Sequence, residues 1–169
     1  SGYDQFQLVV ESRDITTMRT PLGLVRMCTL PQGGTNSVAH MMNAMNKVLR
    51  DCISDITMPF LDDIPIKGWP VEEKEETIGP DGCRNFVVTH IDDYEKVLQR
   101  LEDARLTFSR EKSAFGQSEI MVIGHLCRPY GRKPSPAKVE AISSMKHDCN
   151  SVTEVRRFRG SWEHARSII

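Results

Sequence analysis

Met58-Pro59-Phe60-Leu61-Asp62-Asp63-Ile64-Pro65-Ile66 sets two adjacent carboxylates between two apolar runs. The runs Ile56–Leu61 and Ile64–Lys67 have the length of short strands, so the pair reads as the tight turn of a hairpin. Uncompensated charge is costly to bury between apolar strands. One compensation is a divalent cation, and hard carboxylate oxygens favour Mg²⁺ or Mn²⁺. The other is exposure to water, because Asp is a favoured turn residue. Taken alone, the motif fits that plainer reading roughly twice as well.

Upstream lies Leu30-Pro31-Gln32-Gly33-Gly34-Thr35-Asn36-Ser37, which joins a strand to a Met-rich helix. Two glycines allow a ligand close to the backbone, and a helix N-terminus offers free N–H groups to phosphate. The stretch has no lysine and is not a Walker loop; a plain, well-capped connection explains it equally. Over Asn36–Cys52, Val38, Met41, Met42, Met45, Val48, Leu49 and Cys52 recur at three- and four-residue steps, which predicts a helix with Thr35, Asn36 or Ser37 as its cap. Further upstream, alternation from Gln5 to Val10 predicts a strand. Thr16–Thr20 and Leu24–Leu30 predict two more, separated by a Pro21-Leu22-Gly23 turn.

Downstream of the hairpin, Gly68–Gly82 carries Trp69, prolines, glycines and the acidic run Glu72–Glu76, the composition of an exposed loop. A second amphipathic helix is predicted over Asn85–Ala104, then a strand over Glu119–Leu126 and a turn at Arg128-Pro129-Tyr130-Gly131. Two short helices close the chain, Pro136–Met145 and one opening on the capping box Ser151-Val152-Thr153-Glu154. No internal repeat is visible. The order predicts an α+β fold, with helices packed on one face of an antiparallel sheet.

The 169 residues suit one domain, or one with part of a second, and 39% hydrophobic with 27% charged residues is ordinarily globular. That composition excludes collagen-like, mucin-like and wholly disordered chains. No apolar run is long enough for a membrane span, and the start, SGYDQFQLVV, has no basic region before an apolar core. The five cysteines show no CxxC spacing and read as reduced intracellular thiols, several of them in the core. The formal charge of −1 hides an asymmetry: residues 1–70 carry −1, residues 71–104 carry −6 and residues 105–169 carry +6. A polyanion on one face is therefore compatible with the near-zero total.

Together, Ser1-Gly2-Tyr3-Asp4-Gln5, the Leu30–Ser37 stretch and the Phe60–Asp63 turn resemble the palm of a reverse transcriptase. The pattern is most similar to gypsy-class long-terminal-repeat retrotransposons, particularly fungal copies. Leu106-Thr107-Phe108-Ser109-Arg110-Glu111-Lys112 resembles the lysine-bearing motif after the second palm helix. Val122-Ile123-Gly124-His125 resembles the primer grip, and Gly131–Val139 the stretch beyond it. The resemblance runs through essentially the whole chain. It implies a palm over residues 1–126, the start of the thumb or connection over 127–169, and the fingers missing.

What the resemblance implies chemically is RNA-directed DNA synthesis, in which a primer 3′-hydroxyl attacks the α-phosphate of a deoxynucleotide between two metal ions. Asp62 and Asp63 match the paired metal-binding aspartates, Asp62 the stronger match. Tyr3 matches an aromatic steric gate against ribonucleotides; read by itself it is a core tyrosine in a strand. Gln32 and Gly33 match the lining of the nucleotide pocket. Lys112 matches a proton donor to pyrophosphate, though a solvated surface lysine explains it at least as well. Val122, Ile123 and Gly124 match the primer grip. The implied cofactor is Mg²⁺ or Mn²⁺. The implied partners are an RNA or DNA template–primer, deoxynucleoside triphosphates and the rest of a Pol polyprotein (fingers, RNase H, integrase), with no membrane. The implied location is intracellular, a cytoplasmic virus-like particle or the nucleus if the parent element is active.

The family's first metal-binding aspartate would fall three residues before Ser1, so the chain alone is expected to be inactive. Three stretches depart from the family pattern: its FQR reads Met41-Met42-Asn43, its Lys-Cys reads Lys112-Ser113, and a terminal F-L-G reads Phe158-Arg159-Gly160. Arg159 is tolerable there only if it reaches solvent. Such changes suit a decaying element copy, or a non-catalytic module derived from a transposon that binds nucleic acid or protein. An unrelated metal-dependent hydrolase would need further ligands near Asp62, and the five histidines show no ligand spacing.

Overall fold

The computed structural model describes residues 2–69, 77–80, 82–145, 148–149 and 151–166, for 164–166 the backbone alone. Most of the expected acidic loop, including Glu72–Glu76, lies outside them. The chain forms two compact units, whose described residues run from 2 to 113 and from 114 to 166. The second unit begins at residue 114, and the strand that opens it pairs with the strand that follows, which in turn pairs with the third.

In the first unit the two long helices form as their periodicity dictates. Helix α1 is a single turn, Val10–Arg13. Strands β1 (Met18–Thr20) and β2 (Gly23–Val25) make an antiparallel hairpin, followed by α2 (Ser37–Val48) and α3 (Asn85–Asp103). Ser37, Met41, Met45 and Leu49 repeat every four residues, so one stripe of α2 and its C-cap is buried. Met45, Leu49, Cys52 and Ile56 meet Val97 and Leu101 of α3 in the core, with Phe6, Val48, Ile53, Ile64, Ile66 and Leu106 around them. Arg100 of α3 pairs with Asp51 at 2.9 Å. Both side chains are half exposed, so the pair orients the helix and adds about 0–1 kcal/mol.

Several expected strands are shorter than the pattern suggested. Between Gln5 and Val10 only Gln7 bridges a partner, Thr29, flanked by bonds from Leu8 N–H to Cys28 O (2.9 Å) and Leu30 N–H to Phe6 O (2.8 Å). Tyr3–Gln5 is a 3₁₀ turn, and Val10 already starts α1. Alternation predicted a strand here, but a ladder needs a paired neighbour, and the partner runs beside Phe6–Leu8 only. Asp14–Thr16 is likewise a 3₁₀ turn, which leaves β1 to start at Met18.

The second unit holds β3 (Ile120–Val122), β4 (His125–Arg128) and β5 (Gly131–Pro134) in one antiparallel meander, then α4 (Pro136–Ser143) and α5 (Val152–Arg166). The single strand expected over Glu119–Leu126 is instead two strands with a turn at Ile123-Gly124. Both turn residues have left-handed φ, +49° and +73°, the signature of a tight I′ hairpin. At Gly124 the space is also filled by the end of a flexible lysine side chain. A Cβ there would lie 2.8 Å from Lys138 Nζ. Ser135 caps α4 by accepting the Lys138 N–H at 3.3 Å, with Pro136 at the first helical position. Ser151 Oγ likewise accepts the Glu154 N–H at 3.2 Å, the forward bond of the expected capping box. Arg159 reaches solvent and pairs with Glu163 at 2.7 Å; that hydrogen bond and charge raise its pKa above the ordinary arginine value.

All five cysteines are free, and only Cys52 is fully buried. Several had been expected in the core. Cys28, Cys83 and Cys149 are exposed instead. Among the described residues no helix is long and apolar enough to cross a membrane.

Candidate active site

Asp62 and Asp63 occupy the tip of a hairpin. Its arms are joined by the bridges Thr57–Ile66 and Phe60–Asp63, with Lys67 N–H donating to Ile56 O at 2.8 Å. Thr57 is fully buried, and its Oγ1 donates to Pro65 O at 2.7 Å, a cross-arm bond that the sequence pattern did not announce. Phe60 N–H bonds Asp63 O at 2.8 Å and Asp63 N–H bonds Phe60 O at 3.0 Å. Leu61 and Asp62 are therefore the two loop residues. Leu61 carries φ +54°, the sign a two-residue loop needs at its first position. In a residue with a side chain, such backbone strain costs about 1–3 kcal/mol.

Three groups seat this tip. Leu61 N–H donates to Met42 Sδ of α2 at 3.1 Å. Met41, 2% exposed, stands beside it. Gly2 packs from the other side: a Cβ on it would overlap Asp62 Oδ1 and lie 2.7 Å from Met41 Cε. Gly2 has right-handed helical angles, φ −59° and ψ −37°, so glycine is favoured here by space rather than by conformation. Tyr3 follows directly, half-buried in a 3₁₀ turn rather than a strand.

The segment bearing Gly2 and Tyr3 is fastened further along by Gln5. Its Oε1 accepts from Thr107 N–H at 2.6 Å and Thr107 Oγ1 at 3.0 Å, while Nε2 donates to Thr107 O at 3.0 Å. One side chain thus imitates a strand partner, and nothing in the sequence signals it. Thr107 leads to the 3₁₀ turn Arg110–Lys112, where Lys112 is exposed. Among the described residues no hydrogen bond or ion pair joins Lys112 to the Asp62 tip.

Gln32 and Gly33 are exposed in the turn that leads into α2. Gly34 N–H bonds Pro31 O at 3.2 Å and Ser37 N–H bonds Gly34 O at 3.1 Å, and no side chain caps the helix. From Ser37 to Met42 is about 7.5 Å of helix rise, so one short helical segment links this turn to the Asp62 seat. Val122, Ile123 and Gly124 belong to the second unit, where they form the tip of the β3–β4 hairpin.

Both carboxylates are exposed, and neither makes an ion pair or hydrogen bond with another described residue. As adjacent hard-oxygen donors they fit the protein's share of a Mg²⁺ site, which commonly combines one or two carboxylates with water and substrate phosphates. Among the described residues no group of three or more His, Cys, Asp or Glu could hold a metal ion. The pair by itself therefore fits only part of such a site.

Residues 1–127 match the family model described as reverse transcriptase (RNA-dependent DNA polymerase). The retrovirus-related Pol polyprotein from transposon gypsy of Drosophila melanogaster is 31% identical over 170 residues, covering 100% of this chain and 15% of that protein. The corresponding polyprotein from transposon 297 of the same species is 29% identical over 168 residues, covering 99% and 14%. The chain spans about a seventh of the length of these curated relatives. Among solved structures, the foamy viral protease-reverse transcriptase dRH in complex with double-stranded DNA superposes with a TM-score of 0.80 at 22% identity, covering 98% of this chain and 26% of that one. The foamy viral protease-reverse transcriptase with an RNA/DNA hybrid gives 0.74, also at 22% identity, covering 98% and 20%. At that identity the two structures establish a shared fold.

Proposed function

The chain belongs to the reverse transcriptase family, as a gypsy-class region, and we propose that it supplies the palm and early thumb of an RNA-directed DNA polymerase within a longer Pol polyprotein. One observation carries this reading: two adjacent exposed carboxylates sit on a strained hairpin tip, against Gly2 and helix α2.

In this function Asp62 and Asp63 hold divalent cations, Asp62 by direct ligation. Such cations, when bound, stabilise the attacking and leaving oxygens of an in-line phosphoryl transfer. Tyr3 packs beneath the sugar of the incoming deoxynucleotide and excludes a 2′-hydroxyl. Gln32 and Gly33 line the pocket for that nucleotide, and Lys112 gives a proton to departing pyrophosphate. The Val122–Gly124 hairpin tip bears on the primer strand. The +6 charge of residues 105–169 meets the phosphates of the template–primer, which makes binding fall steeply with salt.

Primer extension tests the assignment. The 169-residue chain with Mg²⁺ is expected to incorporate nothing, since two carboxylates do not complete a two-metal site; clear incorporation would mean that a further ligand lies within the chain. In a Pol polyprotein carrying this segment, Asp62→Ala is expected to abolish synthesis and leave template–primer binding near its starting value. Synthesis that survives the substitution would remove Asp62 from the metal site.

A further inference from the structure

The Asp62 hairpin contains a donor that its own ladder cannot use. Phe60 and Asp63 exchange the two closing bonds, which leaves the Leu61 N–H outside. Leu61 is also the strained residue of the tip, so a backbone held by the loop alone would be prone to relax. Its N–H donates instead to Met42 Sδ at 3.1 Å. Met42 is half-buried and is carried by α2 next to Met41, whose 2% exposure anchors that turn of the helix in packed surroundings. A thioether is a weak acceptor, yet here it meets a donor with no partner in the ladder, and the fixed helix determines where that donor must lie.

We infer that Met42 is a positioning residue for the catalytic turn. Its thioether holds the Leu61 N–H, keeps Leu61 left-handed, and thereby sets the direction in which Asp62 and Asp63 leave the hairpin. The role rests on the reading of those carboxylates as metal ligands. Two features separate it from simple packing: the contact is a backbone hydrogen bond, and the bonded residue precedes Asp62 directly.

The test separates acceptor from volume. Met42→Leu keeps size and apolarity at small cost but has no acceptor. Met42→Gln restores one, on a side chain of similar length. Two signals are followed in the isotope-labelled chain: hydrogen exchange of the Leu61 amide, and broadening of the amides of residues 61–63 by Mn²⁺ alone. Met42→Leu is expected to speed Leu61 exchange about 2- to 10-fold, the equilibrium worth of one hydrogen bond. It is expected to raise the Mn²⁺ needed for half-broadening by a similar factor, and Met42→Gln to recover both. Unchanged exchange and broadening in a folded Met42→Leu would overturn the proposal. Should that variant fail to fold, Met42→Gln decides: Leu61 exchange at or below the starting rate supports the tether, and faster exchange overturns it. Mn²⁺ that broadens nothing in the unmodified chain would overturn the metal reading instead, while Leu61 exchange still decides whether the tether exists.

Discussion

Gly2→Ala opposes two effects whose sizes follow from the coordinates. The backbone at Gly2 is right-handed helical, so alanine fits it without strain. Lost freedom in the unfolded chain would then stabilise by about 0.4–1 kcal/mol. The new methyl, however, would overlap Asp62 Oδ1 and sit 2.7 Å from Met41 Cε, where carbon atoms settle at about 3.5–4.0 Å. Asp62 is exposed and can turn outward at little cost to stability. Met41 is 2% exposed and has to shift its methyl by about 1 Å inside a packed region, an overpacking cost of about 1–3 kcal/mol. The balance is a loss of about 0–2.5 kcal/mol, read as a fall in Tm of about 2–4 °C per kcal/mol for a chain of this size. Thermal unfolding followed by circular dichroism measures it. Amide shifts at Asp62 and Asp63 report the displaced carboxylate in the same sample. A higher Tm with unmoved Asp62 and Asp63 signals would show open space at Gly2 and refute the close approach.

Thr57→Val keeps the shape of the buried side chain but strips the donor from Pro65 O; a loss of about 1–3 kcal/mol in urea unfolding is expected, and no loss would show that carbonyl to be satisfied elsewhere. Ile123→Asn replaces a β-branched residue at φ +49° with one that tolerates that region, and is expected to raise the stability of the second unit by about 1 kcal/mol; an unchanged unfolding midpoint would argue against strain at that tip.

The helices were legible because their signal is internal. Met41, Met45 and Leu49 fall on one stripe whatever surrounds them, and α2 and α3 lie close to the spans that periodicity predicts. Strand lengths were not legible, since a strand exists only where a partner runs beside it. Gln5 to Val10 alternates over its whole length, yet bridges Thr29 through Gln7 alone. The two-strand character of 120–128 had a local signal, Gly124 inside an apolar run, that a single-strand reading passed over. Parts of the amphipathic patterns misled as well: Val38 and Ile91 are 48% and 56% exposed, Val38 because it lies off the buried Ser37-Met41-Met45 stripe and Ile91 because the buried residues of α3 are Val97 and Leu101.

By itself, the sequence determined the chemistry on offer: adjacent carboxylates at Asp62 and Asp63, the Gly2-Tyr3 and Gln32-Gly33 pairs, the basic end, and the order that resembles a polymerase palm. These are identities and spacings, and they survive without any knowledge of contacts. The tertiary structure alone decided how the carboxylates are held. It set a glycine against Asp62 for want of space, tied Leu61 to a methionine 19 residues away, and clasped Gln5 to Thr107 across 102 residues. Each of these is a packing or hydrogen-bond relation between distant segments, and such relations exist only once the chain has closed on itself.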